Sequence, residues 1–490
     1  MPQQHWWITA FDQNLIIGYQ NKLPWHCKED MKWFKECTNN SHGSDYIFLI
    51  MGSKTWCSIG QKPFSSEDKR QYIILTENGS NYSKIHSNVY YVSKQQFVTF
   101  LTYFSTESIF YWIGGNQTWK YMNELYKTNQ IQLSGGFVTY FDTKVSKGDT
   151  QFPSELLQGM KIGNVIRKKE MVEWKDLGTM ETKQVSMEII EWHPDPMCPN
   201  QENQYLSCIQ TILQQGTYRM DRTKVGTLDI FGHMSRYSLK DGRIPLLTTK
   251  KVFLKGIVEE LGWFLRGETD AKTLQEKGVH IWDGNSSRSF LDGLGFRERE
   301  EGDCGPIYGF QMRHFGAEYK NCHTDYTGQG VDQIQYIIDQ IKTNPTSRRI
   351  VMNLWNTANL SEMVLPPCHV LYQFFVEEDE VSCILYQRSG DIGLGVPFNI
   401  ASASILTHWI AYQTGKKAKE FIHMIGDVHI YETHKEALMK QCERIPHSFP
   451  KIEFKKKENG EKWKLEELSM NVLELIGYYP HSVIKMEMAV

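Results

Sequence analysis

Leu365-Pro366-Pro367-Cys368-His369 sets a cysteine beside a histidine, behind two prolines. A cysteine sulfur is a soft nucleophile for a conjugated ring and can leave again afterwards. Its reactive form is the thiolate, and a free thiol titrates at roughly 8.5, so chemistry at neutral pH calls for a helix end or arginines nearby. The prolines fix their own φ and constrain the residues before them, which stiffens the backbone at the thiol. Taken alone, Cys368 reads first as a small buried hydrophobe. Its neighbours in sequence change that. Tyr386 to Asn399 packs an arginine, a serine, an aspartate, an asparagine and three glycines into fourteen residues. Ser347-Arg348-Arg349 is a basic pair that suits a phosphate as well as solvent. His429 and Tyr431 are two apart, on one side of a strand. Glu260 sits in an apolar helix, facing either a cavity or water.

A second set of chemical residues lies far upstream. Asp30 is a carboxylate on an otherwise apolar helical face, shared with Met31, Phe34 and Cys37. Such a group needs a partner or a function. It reads either as an early-helix aspartate serving the dipole or as a pocket carboxylate for a protonated nitrogen heterocycle. Gly52-Ser53-Lys54-Thr55 follows an apolar strand and opens a helix, a turn suited to a phosphate. It lacks the spaced glycines of a P-loop. Gly114-Gly115 follows another buried strand and allows close approach to the backbone.

Period-two and apolar runs place strands at 6–10, 46–51, 72–75, 89–92, 108–113, 137–140 and 186–192, with a helix over 28–37. Three prolines within 193–200 mark a short, stiff junction. Beyond it, helices are expected from 204, over 252–265, 331–341 and 400–412, with strands at 236–239 and 370–376. The expected organisation is a first domain over 1–192, a Pro-rich junction over 193–202 and a second domain over 203–490.

Composition limits the class. The 490 residues exceed one ordinary core. At 40 % hydrophobic, 23 % charged and a net charge of -3, the chain is globular, with no global basic field for nucleic acid. Ten scattered cysteines without a CxxC pair form neither a disulfide framework nor a zinc cluster, so a reducing compartment fits and no metal is expected. The start lacks a signal-peptide pattern, and no apolar run spans a bilayer. A cytoplasmic protein is expected.

The order Ile17-Gly18, Leu23-Pro24-Trp25, Asp30, Met51-Gly52, Lys54-Thr55-Trp56, Arg70, Ile113-Gly114-Gly115 and Thr139 resembles the dihydrofolate reductase family, across residues 5–192. The resemblance implies an α/β twisted sheet, mainly parallel, with flanking helices. It implies that Asp30 binds the pterin and supports protonation of N5, that Thr139 backs that carboxylate, and that Phe34 lines the folate pocket. Arg70 would hold the glutamate tail. Ala10, Ile17, Gly18, Gly52, Ser53, Lys54, Thr55, Thr76, Gly114 and Gly115 would contact NADPH. One departure stands out: seven residues past Arg70, where many members carry an arginine near the cofactor's 2'-phosphate, this chain has Glu77. A carboxylate repels that phosphate. NADPH is still expected, with Lys54 and Ser53 compensating.

From residue 203 onward the chain resembles the thymidylate synthase family, most closely at 365–369, 387–399, 429–431 and 485–490. That resemblance implies an α+β domain with a large dimer-forming sheet. Cys368 would add to C6 of dUMP, and C5 would then attack the methylene carbon of 5,10-methylenetetrahydrofolate. Arg222, Arg388 and Ser389 match the phosphate ligands, and Arg348 and Arg349 the pair that crosses to the other subunit's site. Gln387 and Asn399 belong to the pyrimidine site, with Asn399 reading the uracil edge. His429 and Tyr431 match the ribose contacts. Glu260, Tyr308 and His369 would form the proton-moving network, and Asp391 would meet the pterin. Ile281, Trp282 and the C-terminal Val490 would close over the folate. Departures fall at Thr223-Lys224-Val225-Gly226, at Met312, and over residues 357–362; none removes a proposed catalytic group.

The two resemblances name consecutive reactions, one making dihydrofolate and one reducing it. Two other readings remain at this level. One is an active synthase with an inert or regulatory reductase-like domain. The other is a folate- or RNA-binding scaffold without activity, which should have lost Cys368, Asp30 or Arg388.

Overall fold

The computed structural model describes residues 3–39, 46–65, 68–77, 83–86, 88–105, 107–157, 160–194, 201–221 and 224–487. The chain divides into two compact units, Met1–Asn200 and Gln201–Val490.

The first unit is built on a ten-stranded sheet. Its strands run, edge to edge, Trp25–His26, Met160–Asp176, Thr182–Pro194, Leu133–Phe141, Gln4–Phe11, Ile109–Gly114, Ile47–Gly52, Arg70–Thr76, Val89–Ser93 and Ser83–His86. Every neighbouring pair from Leu133–Phe141 to Val89–Ser93 is parallel, and the pairs beyond are antiparallel. The apolar runs expected as strands all lie in this sheet. The continuous apolar character of Ile47–Gly52 and Ile109–Gly114 follows from burial on both faces.

The 17-residue strand Met160–Asp176 has no counterpart in the sequence reading. Register shifts between Ile162 and Val165, Val165 and Arg167, and Arg167 and Glu170 break its alternation, so its lysines and glutamates do not read as a strand. The helix expected over 28–37 spans Lys28–Asn39. Its buried face differs by one position from the expected one. Met31 is 46 % exposed, while Trp33 and Asp30 are buried. Asp12, fully buried, shapes the following loop by accepting from the backbone N–H of Asn14, Ile16 and Val145, each at 2.9 Å.

The second unit carries a six-stranded sheet in the order Thr217–Arg219, Thr227–Ser238, Lys417–Tyr431, Glu380–Asp391, His369–Glu377 and Val351–Asn353. Only the pairing of Glu380–Asp391 with Lys417–Tyr431 is parallel. Helix Gly395–Thr414 packs on those two strands and against helix Leu254–Leu265. It is apolar nearly all round because it is covered nearly all round. The other sheet face is open. Along it Phe231 is 87 %, Phe375 63 % and Met234 57 % exposed, with Tyr386 and Met424 beside them. Among the described residues, no helix is long and apolar enough to cross a membrane.

Candidate active sites

In the first unit, Ala10, Gly52, Thr76 and Gly114 lie at or near the carboxyl ends of parallel strands. Ligands of open α/β sheets bind at that edge. Gly114 and Gly115 form a backbone surface there. A Cβ on Gly114 would fall 2.7 Å from Thr55 Cγ2, and Gly115 has φ 84. Ser53 and Lys54 begin helix Ser53–Ser58 and are exposed, and Lys54 makes no ion pair among the described residues. Ile17 and Gly18 belong to strand Ile16–Gly18, which pairs with Thr150–Gln151.

Asp30 is 8 % exposed in the first turn of its helix. Desolvation pushes its carboxyl up to about 6, and the Thr139 hydroxyl restrains that rise. Thr139 Oγ1 is buried and has no partner within hydrogen-bond geometry among the described residues. Thr139 pairs with Ala10 across the parallel ladder, and Phe34 packs part-buried against the same core. The side chain is dry, with no cation bonded to it among the described residues.

Arg70 is also buried, and it already has a carboxylate. Its Nη2 lies 2.6 Å from Asp68 Oδ2 and its Nε 3.0 Å from Asp68 Oδ1. Nη1 donates to Thr38 Oγ1 at 3.3 Å, and the guanidinium covers the Phe64 ring at 4.1 Å. Glu77, flagged above as a departure, is not alone. Lys94 Nζ lies 2.5 Å from its Oε1, just beyond the paired strand ends Thr76 and Ser93. The cation paired with Glu77 is Lys94, which the sequence reading did not single out.

In the second unit, the end of strand Glu380–Asp391 brackets Cys368. Arg388 donates through Nε to the Pro367 carbonyl and through Nη2 to the Pro366 carbonyl, both at 2.9 Å. Nη2 also lies 3.8 Å from Cys368 Sγ, and the guanidinium faces the Trp355 ring at 5.4 Å. The Cys368 backbone N–H donates to the Tyr308 hydroxyl at 2.7 Å. The arginine expected near the thiol is therefore present and fixed.

His369 does not serve the thiol directly. Its Nδ1 bonds the Tyr372 hydroxyl at 2.8 Å, its ring lies edge-on to Tyr308, and burial lowers its pKa to about 4. It is a neutral imidazole. Its Nε2 is buried without a hydrogen-bond partner among the described residues. Burial pushes Glu260 up to about 7, while the Trp282 indole N–H, donating at 2.7 Å, favours the charged form. Ile281 packs part-buried beside it in sequence. No direct hydrogen bond joins Glu260, Tyr308 and His369 among the described residues, so any proton path between them runs through substrate or water.

Gln387 orients Asn399. Its Nε2 donates to Asn399 Oδ1 at 2.9 Å and to the Ser389 carbonyl at 2.8 Å, and its Oε1 meets His423 Nε2 at 2.8 Å. Burial lowers His423 to about 3, so that ring is neutral. The chain His423–Gln387–Asn399 fixes which amide atom faces the cleft. His429 pairs with Asp391 across the parallel strands, bonds Asp427 at 3.1 Å, and contacts Tyr431 edge-on. Asp391 accepts from the Gly393 N–H at 2.8 Å. Burial works against its charge, but His434, Gly393 and His429 outweigh it and hold the pKa below the usual range.

Arg348 and Arg349 are exposed and have no carboxylate partner among the described residues. Arg222 and Val490 lie outside the described residues. Two groups went unmarked in the sequence. Lys250 is buried, donates to the Gly393 carbonyl, and is lowered to about 8 by burial. Its loop is fixed by the buried Glu202, whose carboxylate takes four hydrogen bonds of 2.6 to 2.8 Å from Thr248 and Thr249. His434, fully buried, meets Asp391. The only sequence signal for Lys250 was the polar run after Leu247, read as a loop.

A parallel-sheet unit with a dry carboxylate, followed by a unit with an arginine-bracketed cysteine, is the arrangement of a two-domain enzyme. Comparison with known proteins agrees. A family model described as Dihydrofolate reductase matches residues 6–164, and one described as Thymidylate synthase matches residues 203–490. The chain is 41 % identical over 485 residues to a bifunctional dihydrofolate reductase-thymidylate synthase of Paramecium tetraurelia, covering 99 % of this chain and 98 % of that one. The Leishmania major protein of the same description is 39 % identical over 516 residues, covering 99 % and 94 %. The Homo sapiens thymidylate synthase is 56 % identical over 296 residues, which is 60 % of this chain and 93 % of that protein. The chain belongs to the bifunctional dihydrofolate reductase-thymidylate synthase family.

Proposed function

We propose that the second unit makes dTMP from dUMP and 5,10-methylenetetrahydrofolate, and that the first reduces the resulting 7,8-dihydrofolate to tetrahydrofolate with NADPH. The observation that carries this reading is the Arg388 bracket, which fixes the Cys368 backbone while keeping a guanidinium 3.8 Å from the sulfur. Cys368 Sγ adds to C6 of the pyrimidine, and the charge-bearing ring is read by Asn399, whose amide is set by Gln387. Arg388, Ser389 and Arg222 hold the 5'-phosphate, His429 and Tyr431 the ribose. Glu260, titrating near neutrality, accepts and returns a proton at the pyrimidine edge. Tyr308 positions the nucleophile, and neutral His369 supplies hydrogen bonds rather than charge. Asp391 faces the folate ring, under Trp282, Ile281 and the chain end at Val490.

In the first unit, Asp30 binds the pterin and supports protonation of N5, with Thr139 behind it and Phe34 along the ring. Arg70 takes the glutamate tail once Asp68 yields. NADPH supplies the hydride. The residues fit such a cofactor: Gly52, Gly114 and Gly115 offer bare backbone, Thr55 packs against that turn, and Lys54 is a cation with no ion pair among the described residues. Ala10, Ile17, Gly18, Ser53 and Thr76 border the same edge. Lys94 is the cation for a 2'-phosphate, in competition with Glu77. Glu77→Gln therefore lowers the KM for NADPH about two- to five-fold, the scale of one exposed ion pair, and leaves NADH unchanged. An equal change for both cofactors would remove Lys94 from the phosphate site.

The working unit in this reading is a homodimer. The open sheet face exposes Phe231, Phe375 and Met234, too large an apolar surface to leave in water. Arg348 and Arg349, exposed and without a carboxylate partner among the described residues, then cross to the partner's phosphate. A cytoplasmic location fits the free cysteines. The test is a coupled assay: dUMP, 5,10-methylenetetrahydrofolate and NADPH together should yield dTMP, tetrahydrofolate and NADP. Production of dTMP with accumulating dihydrofolate would leave the reductase unit inert.

A further inference from the structure

Residues 481–487 run back over the second unit. His481 donates its backbone N–H to the Thr248 carbonyl at 2.7 Å, and Arg444 donates to the Ser482 carbonyl at 2.7 Å. Beyond Ser482 one polar tie remains among the described residues: His434 Nε2 to the Glu487 carbonyl at 2.7 Å. The other ring nitrogen of His434 faces Asp391, with Nδ1 3.6 Å from Oδ1. His434 is fully buried between the two. The approach is close: a Cβ on Gly393 would fall 2.6 Å from His434 Nδ1 and 3.1 Å from Met486 Sδ.

The hydrogen-bond chemistry selects one state of this ring. A carbonyl oxygen only accepts, so Nε2 carries the proton. Neutral His434 would then aim the Nδ1 lone pair at a carboxylate. The imidazolium donates Nε2–H to the carbonyl and turns its Nδ1–H toward the carboxylate as an ion pair at 3.6 Å.

We infer that His434 is a latch that fastens the C-terminal segment 483–487 to the Asp391 turn, and so a positioning residue for the folate step. This rests on the proposed reading of Asp391 as the folate contact. The groups around the ring are Asp391 on strand Glu380–Asp391, Lys250 in the loop before helix Leu254–Leu265, and Tyr431 at the end of strand Lys417–Tyr431, its ring centroid 5.6 Å away. Burial opposes the charge and Lys250 does too, yet Asp391 and the Glu487 carbonyl hold the His434 pKa above the ordinary imidazole value. The sign follows: a raised histidine pKa means the latch is fully set below pH about 6.5 and loosens as pH rises through the folded value.

The experiment is tryptic cleavage after Lys485 in the full-length, ligand-free enzyme, corrected at each pH against an unstructured peptide of the same sequence, with steady-state kinetics in parallel. In His434→Gln, that cleavage should run about ten-fold faster, and the KM for methylenetetrahydrofolate should rise about ten-fold with the KM for dUMP within about two-fold. In wild type the same bond should lose protection as pH rises, and in His434→Gln that pH dependence should vanish. Asp391→Asn keeps His434 but removes the facing charge, so it should move the loosening to lower pH. Unchanged protection of the Lys485–Met486 bond in His434→Gln, or a pH profile that Asp391→Asn does not shift, overturns the latch. The folate reading fails separately, if Asp391→Asn leaves the folate KM unchanged while cleavage responds as expected.

Discussion

Cys368→Ser abolishes dTMP formation and leaves dihydrofolate reduction at its wild-type rate. A serine hydroxyl keeps the shape but is a far weaker nucleophile than a thiolate, so the synthase turnover should fall by about three orders of magnitude or more. The fold should not notice. Cys368 is half-buried, and its backbone ties, its N–H to the Tyr308 hydroxyl and its carbonyl from the Arg388 N–H at 2.9 Å, are kept by serine. Stability should stay within about 0.5 kcal/mol. A thermal melt and the two separate assays check this, and retained dTMP synthesis would remove Cys368 from the chemistry. The same variant tests the dimer. Arg348→Ala with Arg349→Ala should also disable the synthase, because each pair would serve the partner's phosphate. Mixing the two inactive proteins then creates hybrid dimers in which one site has both Cys368 and the arginines. Activity should return on subunit exchange, toward about a quarter of wild type for random mixing. No recovery, with hybrids shown by size and tag capture, would mean the arginines act elsewhere.

The sequence carried the two-site plan because the chemistry-bearing residues sit in short runs. Gln387 to Asn399 is continuous in space as well as in sequence, since it is one strand end turning into one helix. What stayed hidden was pairing across distance. Nothing local announces that Lys94 would pair with Glu77, or Asp68 with Arg70, although the second pair is only two residues apart. The partner of His369 was equally hidden: beside Cys368 in sequence, its ring turns to Tyr372 in the core. Strand Met160–Asp176 was missed because its bulges destroy the period by which strands are recognised. Lys250 and His434 were invisible for a third reason. They act on the Asp391 turn from segments distant in sequence, and their types alone read as surface charge.

Asp30→Asn should lose reductase activity and gain stability, and the two effects have one cause. Burial raises the Asp30 carboxyl from an ordinary 3.8 to about 6. An acid whose pKa is raised on folding binds its proton more tightly in the native state. The native protein therefore becomes less stable as pH rises from about 4 through about 6, and flat above. Two pKa units correspond to about 3 kcal/mol, an upper estimate for the cost of keeping this carboxylate ionised in a dry pocket at pH 7. Asparagine carries no charge, so its melting temperature relative to wild type should climb across pH 4 to about 7 and then level off. Activity should move the other way. An amide can hydrogen-bond a pterin but cannot balance a protonated ring nitrogen, so kcat should drop by about 10² or more at neutral pH. Raising proton concentration should recover part of the variant's rate, because solvent can then protonate N5 without help from the protein. The readouts are thermal melts over pH and kcat against pH for both proteins. A variant with wild-type kcat, or with no pH-dependent stability difference, would return Asp30 to the helix-dipole role that its place in the first turn also allows.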